Sequence, residues 1–512
     1  MPSWIAQPGL RALAGSRVIS SSTHRLHLVN QADPTTRAPL SSRIAAFAAE
    51  LSFGDMPAAV TEQVRHLMLD ALGCALAARD EEFAAIYAAA IAELSGPTDG
   101  NSGCAVIGHR LRLPPRDAAL LNGILAHGLD FDDTHIAGIA HLSVAVLPAV
   151  MALAAARGLS GRQALLAYVV GLEAGSRLAA AAPGMFHEGG FHPTITVGVF
   201  AAAIACARLL GLDALGIDRA HGFALSTAGG TLQFVEDGAW TKRMHPGWAA
   251  SAGIACATLA RHPIPTPLMV YEGRFGLFRA FLGEERMDRV DLDKVVGALG
   301  TQWHLMGIGV KPFPVCHFNH GCADAAIALH RRLAEAGIGL HRVRRIEARV
   351  PEGVMPSVCV PVDAKRNPTT DYEAKFSMHY AVACGLLRGR LGLQDLLREA
   401  ICDPEVRALM RLVECVPDPA STFPRHYTGE VVVFLEDGTP LAHREEVNRG
   451  HAERPLDGPA IRAKYRENAG RSFHPEAVHA LESFVLSIDS QPEMRAIEPL
   501  VTAERLSRTA NH

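Results

Sequence analysis

From residue 40 to about 300 the apolar positions recur with helical spacing. Val60, Val64, Leu67, Met68, Ala71, Leu72 and Ala75 step through i, i+4, i+7 and i+8 behind Pro57. That is one buried face of a helix entered at a proline. The same period predicts helices over 118–127, 143–157, 161–179, 194–210 and 247–261, with Gly158 and Gly211 placed as C-terminal caps. Ser41 and Ser42 are expected to cap the helix that contains 44–51. Alanine falls on several faces of these segments, and small side chains let helices approach closely, so a compact multilayer helical domain is expected.

The texture changes after Trp303. Residues 342–350 alternate roughly with period two and read as a strand. Residues 428–439 read as a second strand running into an Asp437-Gly438 turn, a hairpin signal. Helical stretches at 320–336, 374–390 and 403–413 lie between and around them, and helical spacing returns after Gly458, including 477–486. The expected fold class is mainly α: a large all-helical domain, discontinuous in sequence, with a smaller α+β lid domain. Its boundaries are expected at 41–304 (helical, first part), 305–445 (lid) and 446–512 (helices returning to the first domain), behind an extension or targeting segment over 1–40.

A chain of 512 residues exceeds one ordinary core, which agrees with the two textures. Net charge is −4, with 49% hydrophobic and 20% charged residues. That balance gives no nucleic-acid footprint and no basic face for an anionic membrane. The apolar runs 144–156 and 197–207 are too short for a bilayer, which needs about 20 residues. Ten cysteines are scattered without a CxxC pair, the usage of free thiols in a reducing compartment. The first 31 residues hold Arg11, Arg17 and Arg25, several serines and no acid. They read as a mitochondrial presequence if the source is eukaryotic, or as a plain extension of a cytoplasmic protein.

The chemistry concentrates in one run. Between His127 and His141 the chain carries Asp130, Asp132, Asp133, Thr134 and three histidines, flanked by apolar residues. Buried charge is costly without partners, so a polar knot in a core-like stretch marks a candidate site. Four more clusters join it. Gly189-Gly190-Phe191-His192-Pro193-Thr194 sets His192 at a helix start. Gly229-Gly230-Thr231 leads to Thr241-Lys242-Arg243-Met244-His245. In Gly309-Val310-Lys311-Pro312, the proline holds Lys311 extended. Tyr372–Tyr380 reads as an ordinary amphipathic helix start. Cys316, His317, His320 and Cys322 are spaced too tightly for a common structural zinc motif. Gly229-Gly230 lacks the remaining glycines and lysine of a nucleotide loop. Neither a metal nor a cofactor is expected.

The segments His127–Thr134, Gly190–Thr194, Thr241–Ala250 and Lys311–Cys316 together resemble the MmgE/PrpD family. That family includes 2-methylcitrate dehydratases, cis-aconitate decarboxylases and iminodisuccinate epimerases. The resemblance implies a helical domain with an α+β lid, a metal-free site between them, and homodimers. It also implies Asp130, Thr134, His141, His192, Lys242 and Lys311 as site residues. The lid tyrosine of the decarboxylase branch finds no clear match in 355–380. Physically, two lysines suit a substrate with several carboxylates, and two histidines suit acid and base work. Asp130 is the candidate to orient an imidazole. The expected activity is metal-independent dehydration of a citrate-like polycarboxylate. Decarboxylation of cis-aconitate to itaconate and epimerisation of an amino-dicarboxylate are the alternatives, and a helical scaffold or binding protein is the non-enzyme alternative.

Overall fold

A computed structural model describes residues 38–97 and 102–503. The extension over 1–37 lies outside the described residues. Helix accounts for 60% of the structure and strand for 9%, so the mainly α expectation holds. Two hydrophobic cores organise it. One gathers the helices from Leu40 to Val310 and takes in Ile461–Val501 from the C-terminal segment. The other runs from Phe313 to Leu435. The chain crosses between them at Lys311 and Pro312.

In the first core, the helix Ala58–Ala78 packs on the C-terminal helix Gly458–Ala469. The helix Thr241–Ala260 packs on Pro115–His127 and on Gly198–Leu209. Close approach is what the small residues supply. A Cβ on Gly247 would stand 2.1 Å from the carbonyl oxygen of Leu120, and one on Gly123 2.5 Å from the Cα of Gly247. That contact sets the end of one helix, at His127, beside the start of the other, at Lys242. Gly161–Ala181 is long and apolar enough to cross a membrane, but 94% of its most apolar window is buried in the protein. It encloses a Glu173–Arg177 ion pair of 2.6 Å, as a core helix with a satisfied charge pair does.

The second core carries a four-stranded sheet in the order Val413–Pro417, Val343–Val350, Gly429–Leu435, Pro440–Glu445. The first pair is parallel and the others antiparallel. The Asp437-Gly438 turn closes the expected hairpin, with Gly438 at φ 82°. Helices His320–Glu335 and Met378–Arg388 pack together, and the first of them covers the sheet.

Four local expectations are corrected. Pro39, not a serine, caps Leu40–Glu50, while Ser41 and Ser42 hydroxyls donate to Leu268 O and to Asp218. The helix expected from Gly247 begins six residues earlier, at Thr241, and contains Pro246. A proline there removes one backbone donor without ending the helix. The helix expected over 194–210 breaks at Val197 into Pro193–Thr196 and Gly198–Leu209; the Thr196 hydroxyl donates to His192 O and Gly229 O, an alternative to the helical ladder. The helix expected over 374–390 is two, Asp371–Lys375 and Met378–Arg388, because Ser377 caps the second by accepting from Tyr380 N–H.

Candidate active site

The short strand Thr134–His135 pairs antiparallel with Ile308–Gly309, Thr134 opposite Gly309. This ladder brings Lys311 alongside the acid run, although 181 residues separate Lys311 from Asp130. The Lys311 ammonium donates to Asp130 Oδ1 at 2.9 Å and to the Asp130 carbonyl at 2.8 Å. Lys242, in the first turn of Thr241–Ala260, donates to Asp130 Oδ2 at 2.9 Å. Asp130 stands in the left-handed region at φ 54°. Burial would push its carboxyl up, but the two ammonium groups hold it well below the usual carboxylate range. All three side chains are buried.

Asp132, two residues on, meets imidazoles instead. Its oxygens lie 2.9 and 3.0 Å from His127 Nδ1, and 3.2 Å separates Oδ2 from His141 Nδ1. His141 Nδ1 also lies 2.7 Å from the Asp133 carbonyl. A carbonyl only accepts, so Nδ1 carries the proton and Nε2 keeps the lone pair. Burial, against the pull of Asp132, brings His141 down to about 4. Burial also works against Asp132, yet His127 and His141 hold its carboxyl far below normal. Asp133 differs again: burial, with the charges of Asp132 and Asp70, pushes it well up. The carboxylate that orients imidazoles is therefore Asp132, and Asp130, expected in that role, holds the lysines.

His192 caps Pro193–Thr196. Its Nδ1 lies 2.9 Å from His245 Nδ1 and its Nε2 3.0 Å from the Thr194 hydroxyl. That oxygen also accepts from the His141 backbone N–H at 3.1 Å, so one hydroxyl joins His192 to the His141 backbone. Both nitrogens of His192 are thus engaged, and it reaches the site through Thr194 and His245 rather than by a bare nitrogen. Burial, then the charges of His245 and Lys242, holds it well below the ordinary histidine range. Thr134 Oγ1 is 3.4 Å from His141 Nδ1.

The structure brings Asp130, Thr134, His141, His192, Lys242 and Lys311 to one place. The rings of His141 and His192 are 6.1 Å apart, and that of His127 is 4.7 Å from His141. One nitrogen each from His127, His141 and His192 lies within 4.8 Å of the others, a spacing that suits a metal ion. The donor chemistry suits it less. His127 and His141 each keep Nε2 free, but both nitrogens of His192 are engaged, which leaves two imidazole donors, and Lys242 and Lys311 already supply positive charge.

Models of the MmgE/PrpD N-terminal domain and C-terminal domain match residues 42–290 and 313–490. The chain belongs to the MmgE/PrpD family. Among its relatives, cis-aconitate decarboxylase of Homo sapiens is 30% identical over 88% of this chain and 92% of its own. The cis-aconitate decarboxylase-like protein oryM of Aspergillus oryzae is 28% identical over 92% and 99%. The 2-methylcitrate dehydratase of Cupriavidus necator is 26% identical over 82% and 88%.

Sequence reasoning missed several members of this site. Asp132 and His127 stood inside the acid run but were not separated from Asp130. His245 follows Lys242 by three residues, one helix face, a signal lost when the helix was started after Pro246. Tyr372 and Phe376 reach across from the second core. The Phe376 ring lies 5.4 Å from Lys242 Nζ, and the buried Tyr372 hydroxyl has no hydrogen-bond partner. Burial, and the nearby charge of Asp130, pushes that phenol up.

Proposed function

We propose that this protein is a lyase of citrate-like polycarboxylates that works without a metal. One observation carries the reading: two buried lysines flank Asp130 on one side of a site whose other side presents imidazoles oriented by Asp132. The lysines bind substrate carboxylates. In decarboxylation one carboxylate leaves as carbon dioxide, its bonding pair spreads toward a carboxylate held by the lysines, and an imidazolium protonates the carbon. In dehydration, His141 Nε2 takes the proton alpha to a carboxylate, the same cations stabilise the enolate-like charge, and an acid delivers a proton to the departing hydroxide. A polyanion entering the site favours the protonated imidazole that both routes need. A scaffold would leave these groups dispersed.

Decarboxylation of cis-aconitate is the first reaction to test, because the more similar human and Aspergillus relatives carry that name. Dehydration of 2-methylcitrate is the second, supported by the bacterial relative. Tyr372, with its free hydroxyl, is proposed to contact substrate from the lid side. The part with the second core is proposed to act as that lid, and the chain to work as a homodimer in the cytoplasm, or in the mitochondrion if residues 1–40 are a presequence. Incubating the protein with each substrate, with and without a chelator, and reading products by NMR tests the reading. Turnover of either substrate, unchanged by the chelator, is expected. Turnover of neither sinks the substrate class, and loss on chelation reversed by one divalent metal sinks the metal-independent mechanism.

A further inference from the structure

Lys464 lies on the C-terminal helix Gly458–Ala469, 333 residues from the acid run. Its ammonium nonetheless donates to the Phe131 carbonyl at 2.6 Å and sits 3.8 Å over the Phe131 ring. Asp70, on the helix Ala58–Ala78, brings Oδ1 to 2.6 Å of the same ammonium. Lys464 is 8% exposed and Asp70 1%. Neither belongs to the lysine or imidazole groups that face substrate.

A buried ion pair is weak ground for stability, since apolar residues of similar volume are often as good or better. Its geometry points elsewhere. Phe131 stands between the two functional carboxylates, and its carbonyl belongs to the peptide that joins it to Asp132. Two nearby carbonyls are also gripped by side chains: that of Asp130 by Lys311 and, two residues past Phe131, that of Asp133 by His141. Holding the Phe131–Asp132 peptide plane settles which way Asp130 and Asp132 diverge, one to lysines and the other to imidazoles. It also braces Asp130 in a backbone conformation that residues with a Cβ rarely adopt.

We propose that Lys464, backed by Asp70, is a positioning residue that locks the Phe131 carbonyl and so holds the Asp130 and Asp132 carboxylates at their separate stations. Its activity readout rests on the reading under Proposed function, so the test includes one that needs no substrate. The double variant Asp70→Leu/Lys464→Met removes both charges together, so neither is left unpaired, and frees the Phe131 carbonyl from its donor. Its melting temperature is expected to change little, the gain from replacing a buried ion pair offsetting the unpaired Phe131 carbonyl, while kcat falls by about 10- to 100-fold, as for a small misplacement of a reacting group, with the larger share of the loss in kcat rather than KM. Lys464→Arg keeps the charge but moves the donor, and a smaller fall in kcat at unchanged stability is expected. In the same preparations, nitrogen-15 NMR should show altered titration of His127 and His141, assigned by loss of signals in His127→Gln and His141→Gln. A folded double variant with wild-type kcat and unaltered histidine titration overturns the proposal. If the double variant does not fold, Lys464→Arg decides: wild-type kcat and titration there overturn it equally. A wild-type protein inert toward cis-aconitate and 2-methylcitrate defeats the functional reading alone, and the histidine titration still judges Lys464.

Discussion

Asp130 and Asp132 are the same side chain, two residues apart, both buried and both held ionised, yet they build opposite poles. Asp130 gathers two ammonium groups from distant parts of the chain. Asp132 gathers two imidazoles from its own neighbourhood. The lysine pole sets two ammonium groups against one carboxylate. The imidazole pole sets Asp132 against two rings, of which His141 keeps Nε2 open to a substrate proton. A polycarboxylate meeting both would turn its carboxylates to the first and its reacting carbon to the second. The difference teaches that partner chemistry, not the acid itself, assigns each carboxylate its work.

The comparison breaks most sharply at His141. Replacing His141 with Gln keeps approximate volume and removes titration. Loss of a general acid–base group costs about 10²- to 10⁴-fold, and we expect kcat to fall by that range with KM little changed. Steady-state kinetics on folded protein checks this, and a near-wild-type kcat would take proton transfer away from the imidazole pole.

At the other pole, Lys311→Met should act mainly on substrate affinity. One charge-assisted contact is worth about 1.5–3 kcal/mol, so kcat/KM should drop by roughly ten- to 150-fold, chiefly through KM. Equal losses in kcat for the lysine and histidine variants would erase the division of labour.

A smaller effect sharpens the contrast through stability. Burial holds His141 at about 4 against the pull of Asp132, and burial with the nearby charges of His127 and Lys242 holds His245 at about 4. Between pH 6.5 and about 4 the unfolded chain therefore binds protons that the native state does not, so stability is lost as pH falls through that window. Melting temperature measured from pH 7 to pH 5 should decline in the wild type, and less steeply in His141→Gln/His245→Gln. Identical slopes would mean that these rings do not carry the acid sensitivity.

Much of this was legible in the residues alone. Hydrophobic period located the helices, because each buries one face and the period records it. The alternating 342–350 segment and the Asp437-Gly438 turn located the sheet for the same reason. The polar knot at 127–141 marked the site, since charges inside a core must have partners. Boundaries failed where a side chain competed with the backbone, as Ser377 and Thr196 do, or where a proline was tolerated, as Pro246 is. Roles within the site were decided only by tertiary structure. The sequence shows three aspartates in four positions with nothing to tell them apart. Their separation into a lysine partner, an imidazole partner and a carboxyl pushed up by burial depends on which helix ends arrive beside them. Lys464 left no trace in the sequence at all, because a lysine 333 residues away acquires its meaning only when the C-terminal helix packs against Ala58–Ala78 and points its ammonium at one carbonyl.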